Sequence, residues 1–211
     1  MKKIITTILL SVSILSVDAQ VDKLAGPRVG VTMVQAGSLA SILRKDVPLF
    51  SDDIREEWTG STGKYGAVMS QYGWQWESRF LDGGDIVGLV EWIALVGGME
   101  KGMFLPSVSS MVGLRTASGF ELAAGPNLSL GGIAMVIGIG KTLKFGKLNV
   151  PVNIAYVPSM NKTYSHDGPL LETSYVDEDG YEIFDYIEQS YTVTHPTGAR
   201  VSVMVGFNLG K

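Results

Sequence analysis

The sequence predicts an all-β protein: an eight-stranded antiparallel transmembrane β-barrel with two long extracellular loops. Three observations predict it. Apolar and polar residues interleave with period two, the interleaved stretches are joined by alternately tight and longer connections, and an apolar leader opens the chain. A helix cannot keep such alternating sets on one face, whereas a strand does so automatically.

The alternation places eight strands, at 28–36, 66–81, 84–98, 104–116, 119–130, 132–143, 147–158 and 198–209. In the last, Val201, Val203, Val205, Phe207 and Leu209 oppose Ser202, Met204, Gly206 and Asn208. In the second, Tyr72, Trp74, Trp76 and Phe80 oppose Gln71, Gly73, Gln75, Glu77 and Arg79. The strand at 84–98 is the least regular, because Ile93 and Leu95 share a face with Glu91. Residues 122–140 carry no charge and reach the length of a membrane helix. Their glycines, Pro126 and retained period of two make strand–turn–strand the better account. Asp82-Gly83, Ala117-Ser118 and Phe145-Gly146 read as tight turns, alternating with 37–65, 99–103, Gly131-Gly132 and 159–197. Short turns on one side and longer loops on the other is the outer-membrane barrel layout.

The leader has the form of a secretory signal. Lys2 and Lys3 give a basic start, Ile4 to Val17 an apolar stretch, and Val17-Asp18-Ala19 a cleavage site before Gln20. The expected organisation is therefore a signal peptide at 1–19 and a barrel at 20–211, located in the outer membrane. The chain has no Cys, which excludes disulfides, thiolate metal sites and a lipidated N-terminal cysteine. A net charge of −4, without clustered Lys and Arg, argues against nucleic acid as a partner.

In a membrane barrel the apolar set faces lipid and the polar set faces the lumen, the reverse of a soluble barrel. Here the polar set carries Arg28, Glu77, Arg79, Glu91, Arg115 and Glu121, three acids and three bases able to neutralise one another. All but Glu91 fall near the tight-turn ends of the predicted strands, where they would form a charged layer. A lumen this narrow is filled by its own side chains, so the layer reads as a salt-bridged filling in preference to an ion path.

The chain resembles the small outer-membrane barrels of the OmpA/OmpX type. Gln71-Tyr-Gly-Trp-Gln-Trp-Glu-Ser-Arg-Phe80, Gly113-Leu-Arg-Thr-Ala-Ser-Gly119 and Gly198-Ala-Arg-Val-Ser-Val-Met-Val-Gly-Phe207 are similar to uncharacterised outer-membrane barrels of the Bacteroidota. The resemblance covers most of the chain after the leader. It implies outer-membrane lipid and the barrel assembly machinery as partners, and carries no functional residues with it. Such barrels often end in an aromatic residue, whereas Phe207 here is followed by Asn-Leu-Gly-Lys.

The segment 159–197 is the most distinctive surface. It is rich in Asp and Glu, with Tyr and Phe interspersed, and the flanks of Asp177-Glu-Asp-Gly180 look like a hairpin. Hard oxygen ligands suit Ca²⁺, making Asp177, Asp179 and Glu182 a candidate site, although the match to a calcium-binding loop is poor. A solvated acidic loop is the simpler reading; no other cofactor is expected. Tyr181, Phe184 and Tyr186 suit protein recognition or the membrane interface. In 37–65, Ser51 is placed to cap a short helix and Trp58 to anchor it at that interface. Ser165-His166-Asp167 and His195 supply the residue types of a hydrolase, but adjacency along a strand sends neighbours to opposite faces. The expected role is non-enzymatic, structural or partner-binding through loops 37–65 and 159–197. The alternatives are a lipid-modifying enzyme, a small-solute channel, or a soluble periplasmic ligand-binding barrel.

Overall fold

The alternation becomes strands almost where the sequence places it. The computed structural model describes residues 25–46, 64–176 and 178–209. In chain order the strands are β1 (Gly26–Val34), β2 (Ala67–Asp82), β3 (Ile86–Gly97), β4 (Leu105–Thr116), β5 (Phe120–Ser129), β6 (Gly132–Phe145), β7 (Leu148–Val157), β8 (Asn161–Val176), β9 (Glu182–Pro196), β10 (Arg200–Gly206) and β11 (Asn208–Leu209). Strands β1 to β7 pair in sequence, and β10 pairs with both β1 and β7, so the sheet closes into an eight-stranded antiparallel barrel. Strand β11 continues β10: Val205↔Val152 and Asn208↔Asn149 belong to one uninterrupted register.

Closure decides which residues meet. Along β2 and β3 the register sets Trp76 opposite Trp92 and Glu77 opposite Glu91. One irregularity, between Arg79 and Leu81, re-aims the end of β2. Across β4 and β5, Arg115 faces Glu121 and Ser109 faces Asn127.

The two faces of the sheet have opposite chemistry. Glu77 and Glu91 are each 2% exposed, whereas Trp92 is 52% and Ile133 is 65% exposed. The exterior of β4 to β6 is a field of Val112, Leu114, Leu122, Ile137 and Ile139. Phe80, Phe120 and Phe145, from three strands, and Phe207, at the junction of β10 and β11, stand exposed near the tight-turn end. The barrel is therefore mostly apolar outside, with the Glu and Arg residues of β1 to β5 turned inwards, while Asp82 at the end of β2 and Lys141 and Lys144 near the end of β6 are exposed.

A second compact unit comprises the described parts of 34–67 and 159–199. Within it, β8 and β9 form a long hairpin whose register runs from Asn161↔Pro196 to Val176↔Glu182. The expectation of a hairpin around Asp177 is thus met, and its arms are longer than the sequence suggested. A short helix, α1 (Ser38–Leu43), was not anticipated. Leu39 and Leu43, one turn apart, are buried together with Ala40. Lys45 takes a left-handed conformation (φ 62°), which lets its own N–H and that of Asp46 close the helix onto Ile42 O and Ser41 O. The helix expected after Ser51 lies outside the described residues. Gln35 N donates to Ala199 O (2.8 Å) and Thr197 N to Met160 O (2.7 Å), tying the bases of both segments together.

The tight turn between β4 and β5 depends on Gly119. Its φ is +86°, and a Cβ there would lie 2.7 Å from Thr142 O. Gly119→Ala should cost about 1–2 kcal/mol, the usual penalty of a left-handed non-glycine residue. The check is the urea midpoint of the folded barrel, which should fall without a change in strand content.

Candidate functional site: the barrel interior

The inward residues of β2 to β5 converge on Arg115. Its Nη1 donates to Glu77 Oε1 (2.7 Å) and its Nη2 to Glu77 Oε2 (2.5 Å), a bidentate fork. Its Nε donates to Glu121 Oε2 (2.7 Å), so one guanidinium clamps two carboxylates from different strands. The side chain reaches this point because Arg115 and Glu121 are register partners flanking a tight turn, and Glu77 lies two strands away on the same face.

Glu91, which the sequence placed in the inward charged set but away from the layer at the tight-turn end, joins this cluster. Two carboxylates directly opposite on neighbouring strands repel unless other groups separate their charge. Gln75 Nε2 donates to Glu91 Oε1 (2.6 Å), and Arg115 Nη2 lies 3.8 Å from the same oxygen. Gln75 in turn accepts from Arg28 Nε (2.8 Å), so the amide relays between a cation and an anion. Arg28 is accommodated by Gly206, where a Cβ would sit 1.9 Å from Nη1. Arg79 is the outermost member, its Nε 3.8 Å from Glu77 Oε1. The six residues singled out from the sequence are all turned inwards, linked directly or through Gln75.

Sequence reasoning missed two features of the interior. The first is Arg200, which shares the parity of Ser202 and Met204 and so was legible in β10. Its Nη1 donates to Ser129 Oγ (3.0 Å) and its Nη2 to Asn127 Oδ1 (3.3 Å), both neutral partners. No carboxylate lies within 4.0 Å of it among the described residues. The second is an apolar cluster of Met111, Ala123, Ala134, Val136 and Val157, with Ile93 and Ala155 packed against it. The irregular parity of β3 is explained here: Ile93 and Leu95 line the same interior as Glu91. Between the apolar cluster and the polar wall of Thr32, Gln71 and Ser202 lies a cavity of about 80 Å³.

The hairpin positions are placed more coarsely. Asp179, Tyr181 and Phe184 are exposed, and Glu182 Oε1 accepts from Ser174 Oγ (2.8 Å). Asp177 and Trp58 lie outside the described residues, as does the side chain of Tyr186. Among the described residues no group of three or more His, Asp or Glu side chains is arranged to hold a metal ion. The β8–β9 register sets His195 opposite Lys162 and His166 opposite Tyr191, four rungs apart.

Removing the central cation tests whether the cluster is structural. Arg115→Ala leaves Glu77 and Glu121 buried without their partner and should cost about 3–5 kcal/mol. Arg115→Met combined with Glu77→Gln should recover part of that loss, read as urea midpoints of the refolded barrels. Equal midpoints for wild type and Arg115→Ala would sink the inward assignment of these charges.

No protein-family model, no curated protein and no solved structure matches this chain.

Proposed function

We propose that this chain is a non-enzymatic outer-membrane β-barrel with a structural or partner-binding role, exerted through its segments 37–65 and 159–197. The observation that carries the reading is the inverted barrel: apolar residues cover most of the outside, and the Glu and Arg residues of β1 to β5 are turned to the inside. A soluble barrel organised this way would expose its largest apolar area to water, at about 25 cal/mol per Å². In lipid the same surface costs nothing, and closure satisfies the backbone where water is absent. Phe80, Phe120, Phe145 and Phe207 supply an aromatic girdle at one end of the apolar band. In this orientation the tight turns face the periplasm, and the extracellular loops are the connections at the opposite strand ends, including the one that holds the β8–β9 hairpin. Its exposed Tyr181 and Phe184 then supply aromatic anchors for a protein partner. Outer-membrane lipid and the assembly machinery are the obligate partners of such a chain.

The channel reading is disfavoured by the Arg115 clamp, which ties Glu77 to Glu121 across the lumen. The lipid-enzyme reading rests on His166 and His195 alone, and loss of both without a change in lipid profile would remove it.

The deciding experiment is gel mobility of unheated against boiled protein from fractionated envelopes. A mobility shift confined to the outer-membrane fraction is expected, whereas soluble periplasmic protein without a shift would refute the membrane reading. A second measurement uses the exterior: Ile137→Arg should cost about 2–4 kcal/mol when the barrel is folded into bilayers. An unchanged or improved stability would show that this face meets water. Cross-linking on whole cells should yield adducts with wild type that vanish when 161–196 is replaced by a short turn.

A further inference from the structure

The interior carries four guanidinium groups, Arg28, Arg79, Arg115 and Arg200, against three carboxylates, Glu77, Glu91 and Glu121. The surplus cation is Arg200, whose only hydrogen-bond acceptors among the described residues are a hydroxyl and an amide. Arg200 is half-buried, and a charge partly withdrawn from water and held by neutral groups alone carries a cost that an anion from outside the chain would relieve.

Register shows what surrounds it. Ser129 pairs with Ser107, and Asn127 pairs with Ser109 on one side and Ala134 on the other. This is the polar rung on which Arg200 rests. The next inward rung holds Met111 and Val136, which pair with Glu91 and Gly125 respectively, and Ile93 is the register partner of Ser109. A cationic rung therefore gives directly onto an apolar wall, and the cavity of about 80 Å³ is lined by both. That is room for a few waters or one small organic molecule.

We propose that this cavity is a binding site for a short-chain monocarboxylate of about the size of propionate. The carboxylate takes the free N–H groups of Arg200 beside Ser129 and Asn127, and the alkyl chain lies against Ile93, Met111 and Val136. An inorganic anion would meet the charge and leave the apolar wall unmatched. A long acyl chain exceeds the volume. Arg28 and Glu121 also line the cavity, and Arg28 is already engaged by Gln75 and Asn208, so Arg200 is the lining cation that offers a carboxylate its charge.

The site concerns the closed barrel and stands whether or not the exterior meets lipid. The test uses the mature chain, with far-UV circular dichroism confirming the strand content of every sample. Sodium propionate labelled with ¹³C at the carboxylate is titrated and its resonance followed, alongside the thermal unfolding midpoint. Sodium chloride at equal ionic strength and propylammonium chloride serve as controls. Wild type should show saturable broadening and a rising midpoint with propionate only. Arg200→Met should weaken propionate binding at least about tenfold, while its ligand-free midpoint stays level or rises because a half-buried cation without a carboxylate partner has gone. Val136→Phe, which fills the cavity and keeps Arg200, should abolish binding too. The proposal is overturned if wild type does not bind, if chloride acts as well as propionate, or if Arg200→Met binds as wild type does.

Discussion

Closure of an eight-stranded sheet is the constraint on which everything else in this molecule rests. Every second residue of each strand is driven into a space only as wide as its own side chains. Inward positions are therefore selected in groups, each sized and paired against residues from other strands. Arg115 shows the consequence most directly. Its fork takes Glu77 from two strands away and Glu121 from the adjacent strand, so one side chain fixes the relative height of three strands. Gly206 is the complementary case, a position emptied so that Arg28 can lie across it.

The exterior follows from the same closure. Once the Glu and Arg residues are committed to the inside, the alternation leaves mainly apolar side chains for the outside, with Asp82, Lys141 and Lys144 exposed only towards the tight-turn ends of their strands. The identity of the apolar ones is loosely specified, because Val, Ile, Leu and Met all present the same chemistry outwards. The interior tolerates no such freedom, since each polar atom there needs a partner. Thr32 Oγ1 donates to Gln71 Oε1 at 2.5 Å and lies 2.7 Å from Ser202 Oγ, a three-strand link made of small groups.

Much of this was legible in the sequence, for a physical reason: period two is a direct image of the pleat. The eight barrel strands lie within a few residues of where alternation puts them, and the six charged positions all point inwards. What alternation cannot convey is register between strands. It left Glu91 apart from its companions, because only the pairing of β2 with β3 reveals that Glu77 lies opposite. It also hid the apolar half of the lumen, since Met111, Val136 and Val157 belong to different strands and meet only after closure. Arg200 lies inside the predicted strand 198–209 with the inward parity of Ser202, but parity alone does not show that it meets the neutral Ser129 and Asn127 of β5. The helix α1 was unreadable because six residues give too little periodicity to distinguish it from a loop.

The β8–β9 hairpin has a bearing on how the barrel comes to close. The seam between β7 and β10 pairs Val157 with Arg200, residues separated by a connection of several tens of residues. Bringing the ends of a disordered connection of that length together is an entropic barrier that rises with the logarithm of its length. In the hairpin, Asn161 already faces Pro196 and Thr197 N already bonds Met160 O. Once those contacts exist, the effective connection shrinks to a few residues on each side, which lowers the closure entropy by about 2 kcal/mol. The hairpin thus acts as a local zipper for a long-range seam. The last strand can register against the seventh nearly as readily as neighbours joined by a tight turn.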